Sequence, residues 1–341
     1  MANSPRLPVS LLAVLLLGGC ETLGYYAQAI SGQMDLLARA KPVAVLIADP
    51  ATSPALKERL ELARAIRDYA SHELKLPDNG SYRSYAELGR PFVVWNVVAA
   101  PEFALEPVES CFPVTGCVPY RGFFAREDAE RYAERLRAAG NDVNLRGVPA
   151  YSTLGRFDDP LLSTFIRNPD ADLARLIFHE LSHQLLYVKN DATFNESFAV
   201  SVERAGVQRW LAATGRGAAL KAFLDSQDRT RRFFGELEQT RVRLKALYAM
   251  PLPIEEKRQR KRAEMELLKS NIAKLGPEPR FSSLAINNAL LAAYATYTQL
   301  LPAFEKLLAE EGGDLEKYYA RVKVLSLTVR SSRGPLSMPT P

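Results

Sequence analysis

The chain has 341 residues, 47% hydrophobic and 24% charged, which is ordinary for a soluble globular protein with a substantial core and excludes a largely disordered chain. Lysine and arginine number 44 against 39 aspartates and glutamates, and an excess of only +5, spread along the chain, does not indicate a nucleic-acid-binding protein. The length allows one large domain or two smaller ones.

The first twenty residues predict an export signal. One arginine precedes the apolar stretch LPVSLLAVLLLGG, which is too short to cross a bilayer as a permanent helix. Leu17-Gly18-Gly19-Cys20 resembles the lipobox of bacterial lipoproteins, so we expect residues 1–19 to be removed and Cys20 to be lipidated. A plain signal peptide is the alternative. Because Glu21 is not the aspartate associated with inner-membrane retention, the expected location is the outer membrane of the cell envelope, facing the periplasm.

The two remaining cysteines, Cys111 and Cys117, lie close together in CFPVTGC. In an oxidising compartment such a pair tends to form a disulfide, and Pro113 and Gly116 suit the tight loop it would close. Metal binding by this pair is disfavoured because no second pair of ligands lies nearby.

Hydrophobic periodicity predicts an alternation of helices and strands in the first half of the mature chain. Apolar residues recur every three or four positions in the strongest helix, whereas the buried strand is β-branched and aromatic and is bounded by prolines. These elements are helices at Tyr25 to Leu37, Pro54 to Leu74 and Glu127 to Ala139, a strand at Phe92 to Ala99, and an extended segment at Val143 to Leu154.

The second half is predicted to be helical. Its elements are central helices at Leu173 to Val188 and Phe194 to Leu211, a charged helical hairpin at about 223–275 that is broken by Pro251-Leu252-Pro253, and a last helix at Leu284 to Leu308. The basic cluster Lys257 to Arg262 lies in the hairpin and is interpreted as a solvated helix face rather than a nucleic-acid site. Residues 20–341 are therefore expected to form one α+β domain, mostly helical, with a small sheet and a projecting helical hairpin.

Residues 178–199 contain the most specific chemical pattern. His179 and His183 are four residues apart, so on a helix both rings lie on one face, where they can reach one ion. Glu180 lies about 100° round the helix from His179, close enough to hold an attacking water. The alternative is two histidines that are only hydrogen-bonded in a core helix. It would leave Glu180 buried with no nearer cation than Arg175, a full turn away.

A catalytic zinc ion needs three protein ligands and one open position, so HExxH alone is incomplete. Glu196 is the candidate third ligand, because a second helix after the connection Lys189 to Phe194 would run back toward the histidines. The same residue also fits a capping box in which Thr193 is the N-cap. Because Glu196 follows an HExxH motif, the pattern favours Glu196 as a metal ligand over the capping box, in a site for one Zn²⁺.

Glu203 lies seven residues beyond Glu196, on the same face of the predicted helix. It could accept a hydrogen bond from a ligand histidine and fix its tautomer. A surface salt bridge with Arg204 or Arg209 is equally consistent with the sequence. The remaining histidine, His72, has no matching partner and is interpreted as structural or exposed.

The motifs HELSHQ (residues 179–184) and NESFA (residues 195–199) are similar to the HELxHQ and NEGFA motifs of gluzincin aminopeptidases. Over most of the mature chain, including CFPVTGCVPYRGFF and AYSTLGRFDDPLLSTF, the sequence resembles a bacterial aminopeptidase family with an N-terminal lipoprotein signal. The resemblance implies a zincin-like fold, hydrolysis of a peptide substrate, zinc held by His179, His183 and Glu196, and Glu180 as the general base.

The sequence departs from the larger gluzincin aminopeptidases in two respects. The connection between His183 and Glu196 is shorter, and the GAMEN-type stretch that binds the free amino group of the substrate is absent. A metallopeptidase is therefore better supported than an aminopeptidase. The alternative function is a lipid-anchored binding or scaffold protein with a structural zinc ion held by four side chains.

The resemblance also implies an edge strand that pairs with the substrate backbone and a tyrosine that stabilises the oxyanion. Phe92 to Ala99 or Val143 to Tyr151 could supply the strand. Tyr187, Tyr294 and Tyr297 are the candidate tyrosines, and the sequence does not rank them.

Overall fold

The computed structural model describes residues 9–113, 115–276 and 285–332, with side chains over 23–113, 115–276 and 285–327. Over these residues the chain is mostly helical with three small sheets, which confirms the α+β class. The helices are α1 (Val9–Arg39), α2 (Val43–Ala48), α3 (Pro54–His72), α4 (Arg126–Ala138), α5 (Asp170–Leu185), α6 (Ala192–Ala213), α7 (Gly217–Ala249), α8 (Ile254–Lys274), α9 (Asn288–Thr298), α10 (Leu301–Glu310) and α11 (Leu315–Ser332). The strands are β1 (Lys41–Pro42), β2 (Ser84–Ala86), β3 (Val94–Pro101), β4 (Ser110–Phe112), β5 (Gly116–Val118), β6 (Arg121–Phe123), β7 (Asn141–Val148) and β8 (Leu161–Leu162).

The largest sheet has the antiparallel order β6-β3-β7, in which Val97 is opposite Arg121 on one side and Leu145 on the other. Because side chains alternate along a strand, Val97 and Ala99 pack against α4 while Val94 faces the opposite side. The prediction that the β3 region could serve as an edge strand is wrong, since β3 is paired on both sides. The other two sheets have the order β1-β2-β8 and β4-β5.

The main hydrophobic core is built by α3, α5 and α6, with α10 and α11 packed against them. At Gly206 on α6, an added Cβ would lie 2.7 Å from Leu74 and 2.9 Å from Phe178. Only glycine allows this approach, so α6 is held tightly against the helix that carries HExxH.

The charged hairpin is present as α7 and α8, which pack together through Phe233, Leu244 and Leu268. It begins at Gly217, earlier than predicted. Its basic cluster is tied to the sheet rather than only solvated, because Arg258 pairs with Glu102 at 2.6 Å and Lys261 with Asp142 at 2.7 Å. These ion pairs fix α8 to the end of the β3–β7 pair.

At both ends of the described chain, helices differ from the predictions by more than a few residues. Helix α1 extends from Val9, whereas the prediction began at Tyr25. The single helix predicted at Leu284 to Leu308 is wrong, because α9 ends at Thr298 and α10 begins at Leu301 with Pro302 in its first turn, while Leu284 lies outside the described residues. Helix α11 was not predicted.

The backbone of residues 9–20 belongs to α1, whereas residues 1–8 and the Cys20 side chain lie outside what the structure describes. Among the described residues, no helix combines the length and the apolar composition that crossing a membrane requires.

Candidate metal centre

Helix α5 presents both motif histidines toward a cavity. Asp170 and Asp172 lie in its first turn, where their negative charges interact favourably with the positive end of the helix dipole. The apolar face of the helix is buried in the main core. The Nε2 atoms of His179 and His183 are 3.2 Å apart. The i, i+4 spacing therefore brings the two ring nitrogens to one point, as the helical periodicity requires.

The loop of residues 186–191 reverses the chain and is fixed by Asn195. Its carboxamide accepts a hydrogen bond from Val188 N (2.7 Å) and donates one to Val188 O (2.8 Å). The N-cap of α6 is Asp191, whose carboxylate accepts a hydrogen bond from Phe194 N. The capping box with Thr193 as N-cap is therefore wrong, because the helix begins two residues earlier than that motif requires.

Glu196 reaches the two histidines from α6. Its Oε2 lies 3.2 Å from His179 Nε2 and 3.7 Å from His183 Nε2. These three side chains form a cluster that could hold a metal ion. A second cluster, Glu109 with Cys111 and Cys117, has both sulfur atoms bonded to each other in a disulfide, so they are not free to act as ligands.

Glu203 lies on the far side of His179. Its Oε2 accepts a hydrogen bond from His179 Nδ1 at 2.8 Å, and Arg175 Nη1 lies 3.5 Å from the same oxygen. The side chain is buried, with 5% of the residue exposed. The arginine beside Glu203 is thus Arg175 rather than the two considered for a surface salt bridge: Arg204 pairs with Glu305, and Arg209 donates to Gly313 O.

The pKa values of the two histidines are shifted in opposite directions. Burial would lower the pKa of His179, but its hydrogen bonds to Glu196 and Glu203 outweigh burial and raise that pKa well above the usual value. Burial lowers the pKa of His183 to about 4, and among the described residues its Nδ1 has no hydrogen-bond partner. His183 is therefore a neutral imidazole at pH 7, the form that can bind a metal.

The pKa values of the two carboxyl groups, Glu180 and Glu196, are also shifted in opposite directions. Burial raises the pKa of Glu180 to about 7, an effect that His179 opposes and Glu196 reinforces. Burial acts in the same direction on Glu196, but the neighbouring His183 and His179 outweigh it and lower the pKa of that carboxyl. At neutral pH Glu196 is thus ionised, whereas Glu180 can take up or release a proton.

These residues open into a cavity of about 510 Å³ with a largely aromatic wall. The wall is contributed by α1, the β6-β3-β7 sheet, the β4–β5 hairpin, the segment after β7, and α9. Tyr187 and Tyr297 line it, whereas Tyr294 packs against Phe233 and Phe234 in the hairpin core and is excluded as a site residue. The sequence analysis missed Tyr120, which also lines the cavity and follows a short strand with no periodic signal.

The β4–β5 hairpin is closed by the Cys111–Cys117 disulfide and is attached to the loop between α5 and α6. Cys117 N donates to Asn190 Oδ1 at 2.8 Å, Lys189 Nζ to Pro113 O at 2.9 Å, and Tyr187 Oη to Thr115 O at 3.1 Å. The hairpin therefore supports the connection between the two site helices as well as one wall of the cavity.

The other side of α5 is supported by a buried arginine. Arg67 is 0% exposed and donates to the carbonyl oxygens of Ser81 and Pro77, both at 2.8 Å. The loop it fixes carries Asn79, whose Nδ2 donates to Gln184 Oε1 at 2.7 Å. The position of α5 thus depends on a buried guanidinium that donates mainly to backbone carbonyl oxygens, while the Asp78 carboxylate lies 3.8 Å away.

Two other predicted features, His72 and the segment after β7, differ in their relation to the cavity. His72 is exposed at the end of α3, away from the cavity. Val148 and residues 150–154 line the cavity beside the histidines, and β7 is an edge strand of its sheet. This segment is the candidate for pairing with an extended ligand.

Two oppositely directed helices that bring His, His and Glu donors to one cavity define a candidate metal centre on an α+β fold. The family model described as "Putative aminopeptidase" matches residues 24–334, so the chain belongs to that family, whose name indicates peptide hydrolysis. Comparisons with curated proteins and with solved structures gave no match.

Proposed function

We propose that this protein is a zinc-dependent metallopeptidase with a zincin-like active site. The observation that carries the proposal is the convergence of His179 Nε2, His183 Nε2 and Glu196 Oε2 beside Glu180 in one cavity. The family name supports peptides as the substrate class.

The donor atoms fit a zinc ion. A tetrahedral site with bonds of about 2.0–2.1 Å separates neighbouring ligand atoms by about 3.3 Å, and the observed separations include 3.2 Å between the two histidines and 3.2 Å between His179 and Glu196. Two imidazoles and one carboxylate are the ligand set of many catalytic zinc sites. Glu203 binds the other nitrogen of His179, so it is not a fourth ligand, which supports an open catalytic site over a closed structural one.

Zinc held there would supply Lewis acidity, lowering the pKa of a water and polarising the scissile carbonyl. Glu180 takes the proton of the attacking water and delivers it to the leaving amine. Glu203 holds the Nδ1 hydrogen of His179 and so directs the lone pair of Nε2 into the site. Tyr297, which lines the same cavity, is the proposed donor to the oxyanion.

Lipidation of Cys20 would attach the protein to the outer membrane on its periplasmic side. The support for this location is the lipobox-like Leu17-Gly18-Gly19-Cys20. In α1, Cys20 and Tyr25 are separated by about 7.5 Å along the axis, so the anchor would hold the cavity close to the membrane surface. Mass spectrometry of the protein purified from membranes tests this: an acylated N-terminus beginning at Cys20 supports it, and an unmodified one contradicts it.

The function is tested on the chain that lacks residues 1–20. About one zinc ion per chain and cleavage of peptides would support a metallopeptidase. Cleavage of free-amine peptides alone would identify an aminopeptidase, and equal cleavage of N-blocked peptides an endopeptidase. Zinc without hydrolysis of either kind would contradict the proposal and favour the structural-zinc alternative.

A further inference from the structure

One wall of the cavity is formed by a face of α1. Tyr25, Ala29 and Gln33, spaced four residues apart, line the cavity from this helix. The end of the helix is fixed by Leu36, which is 2% exposed in the main core, and Gln28 accepts a hydrogen bond from Phe124 N at 3.1 Å. The helix is therefore an integral part of the cavity rather than only a tether to the membrane.

Gln33 is buried in this wall without a partner. It is 9% exposed, and neither its Oε1 nor its Nε2 has a hydrogen-bond partner among the residues that the structure describes. An unpaired buried amide costs free energy, so such groups in native proteins call for an explanation. A ligand that both donates and accepts a hydrogen bond would satisfy both atoms of the carboxamide.

A second unpaired polar group lies in the same wall. The buried hydroxyl of Tyr151 has no hydrogen-bond partner within the described ranges. The ring of Tyr151 packs edge-on against Phe124 at 5.8 Å, and α1 approaches the same Phe124 ring at Gly32, next to Gln33. Phe124 thus lies between α1 and Tyr151, and both polar groups line one cavity.

The wall around these groups is uncharged. Among the described residues that line the cavity, the only acidic side chains are Glu180 and Glu196, at the proposed metal site, and none is a lysine or an arginine. The other lining residues are mainly aromatic and aliphatic. A charged side chain of a ligand would lose its hydration here without gaining a partner, whereas an apolar one would gain by burial.

We propose that Gln33 and Tyr151 form a substrate-binding subsite for the main chain of one extended peptide residue, flanked by uncharged, apolar side chains. The peptide nature of the ligand rests on the proposed function. The carboxamide of Gln33 pairs with the N–H and C=O of one extended residue, as Asn195 does with Val188, and the hydroxyl of Tyr151 adds a third hydrogen bond to the main chain. The aromatic wall covers the neighbouring side chains. The site accordingly selects neutral segments of peptides.

The test measures binding rather than turnover, in the zinc-loaded Glu180→Gln variant. Calorimetry gives the Kd of N-acetyl-Ala-Leu-Phe-Ala-amide and of two analogues in which Lys or Asp replaces Phe. Gln33→Leu, added to that variant, should weaken binding of the neutral peptide about tenfold, the effect of one or two neutral hydrogen bonds. Both charged analogues should bind more weakly than the neutral peptide.

The matched control is Gln239→Leu, the same change at an exposed position of α7 far along the chain from the cavity residues. It should leave the Kd unchanged. The zinc content of the Gln33→Leu variant should equal that of its parent, and its melting temperature should not fall below that of the parent, because the unpaired amide is removed. Gln33→Ala gives a second variant if leucine disturbs the packing of α1, and it should weaken binding as well.

Equal Kd values for the Gln33 variants and their parent would overturn the subsite, as would failure of the parent to bind the neutral peptide or equal binding of the charged analogues. If the parent binds and the Gln33 variants bind weakly while the wild-type protein cleaves no peptide, the subsite stands and the proposed hydrolysis fails. Binding and turnover therefore separate the two proposals.

Discussion

His179 and Glu203 are joined by a hydrogen bond of 2.8 Å between Nδ1 and Oε2. Because an ionised carboxylate only accepts, the hydrogen of this bond belongs to Nδ1, so Nε2 is the nitrogen whose lone pair becomes available to a metal when the ring loses its second proton. The same Nε2 lies 3.2 Å from both His183 Nε2 and Glu196 Oε2. One hydrogen bond thus determines which nitrogen of His179 faces the proposed metal.

Replacing Glu203 should weaken zinc binding without abolishing it. In Glu203→Ala, the ring of His179 loses its acceptor and Arg175 loses an ionic partner, so we expect zinc affinity to fall about 10- to 100-fold. Glu203→Gln retains an acceptor and should lose less. Competition with a chromophoric zinc chelator measures both variants, and an unchanged affinity in Glu203→Ala would remove Glu203 from the site.

Tyr297→Phe should lower kcat about 100-fold with a small change in KM, the effect of removing one oxyanion donor. The charge of Glu196, and then burial, raises the pKa of Tyr297 well above its usual value, which reflects the proximity of the hydroxyl to the ligand cluster. Tyr294→Phe is the control on the same helix, since Tyr294 packs into the hairpin core.

Steady-state kinetics of Tyr297→Phe, Tyr294→Phe and Tyr120→Phe on one peptide decide this assignment. A normal kcat in Tyr297→Phe would contradict it. A loss confined to Tyr120→Phe would transfer the role to Tyr120, which lines the same cavity and whose pKa, like that of Tyr187, is raised by burial and by Glu196.

Arg67→Met should destabilise the fold by about 3 kcal/mol, because it leaves several buried carbonyl oxygens without a donor. Arg64→Met, an exposed position on the same helix, is the control and should change the free energy of unfolding by less than about 0.5 kcal/mol. Urea unfolding measures both. Equal midpoints for the two variants would show that Arg67 does not hold the loop that contacts Gln184.

The sequence predicted those features that depend on local spacing. The i, i+4 relation of His179 and His183 follows from helical geometry alone, and the apolar stripe of α3 and the proline break at 251–253 are equally local. Even the placement of Glu196 required only that the second helix turn back after a short loop. The N-cap was assigned to the wrong residue because Asp191 and Thr193 are both good caps at nearly the same position.

Features that depend on contacts between distant segments were not predictable. Sheet order is not encoded in the pattern of one strand, so the central position of β3 could not be distinguished from an edge. Gln33 reaches the cavity because α1 packs beside Phe124. Tyr120 reaches it because the disulfide hairpin folds over the loop between α5 and α6. Neither residue carries a signal in its own neighbourhood of the sequence.

The most direct test of the central claim is to measure zinc content and peptide hydrolysis together in the wild-type chain, Glu180→Gln and His183→Ala. Glu180 contributes a proton acceptor and is not one of the three donors of the cluster, whereas His183 supplies a ligand nitrogen. The account predicts that Glu180→Gln retains about one zinc ion and loses hydrolysis, while His183→Ala loses both. A Glu180→Gln variant that cleaves peptides at the wild-type rate would contradict it.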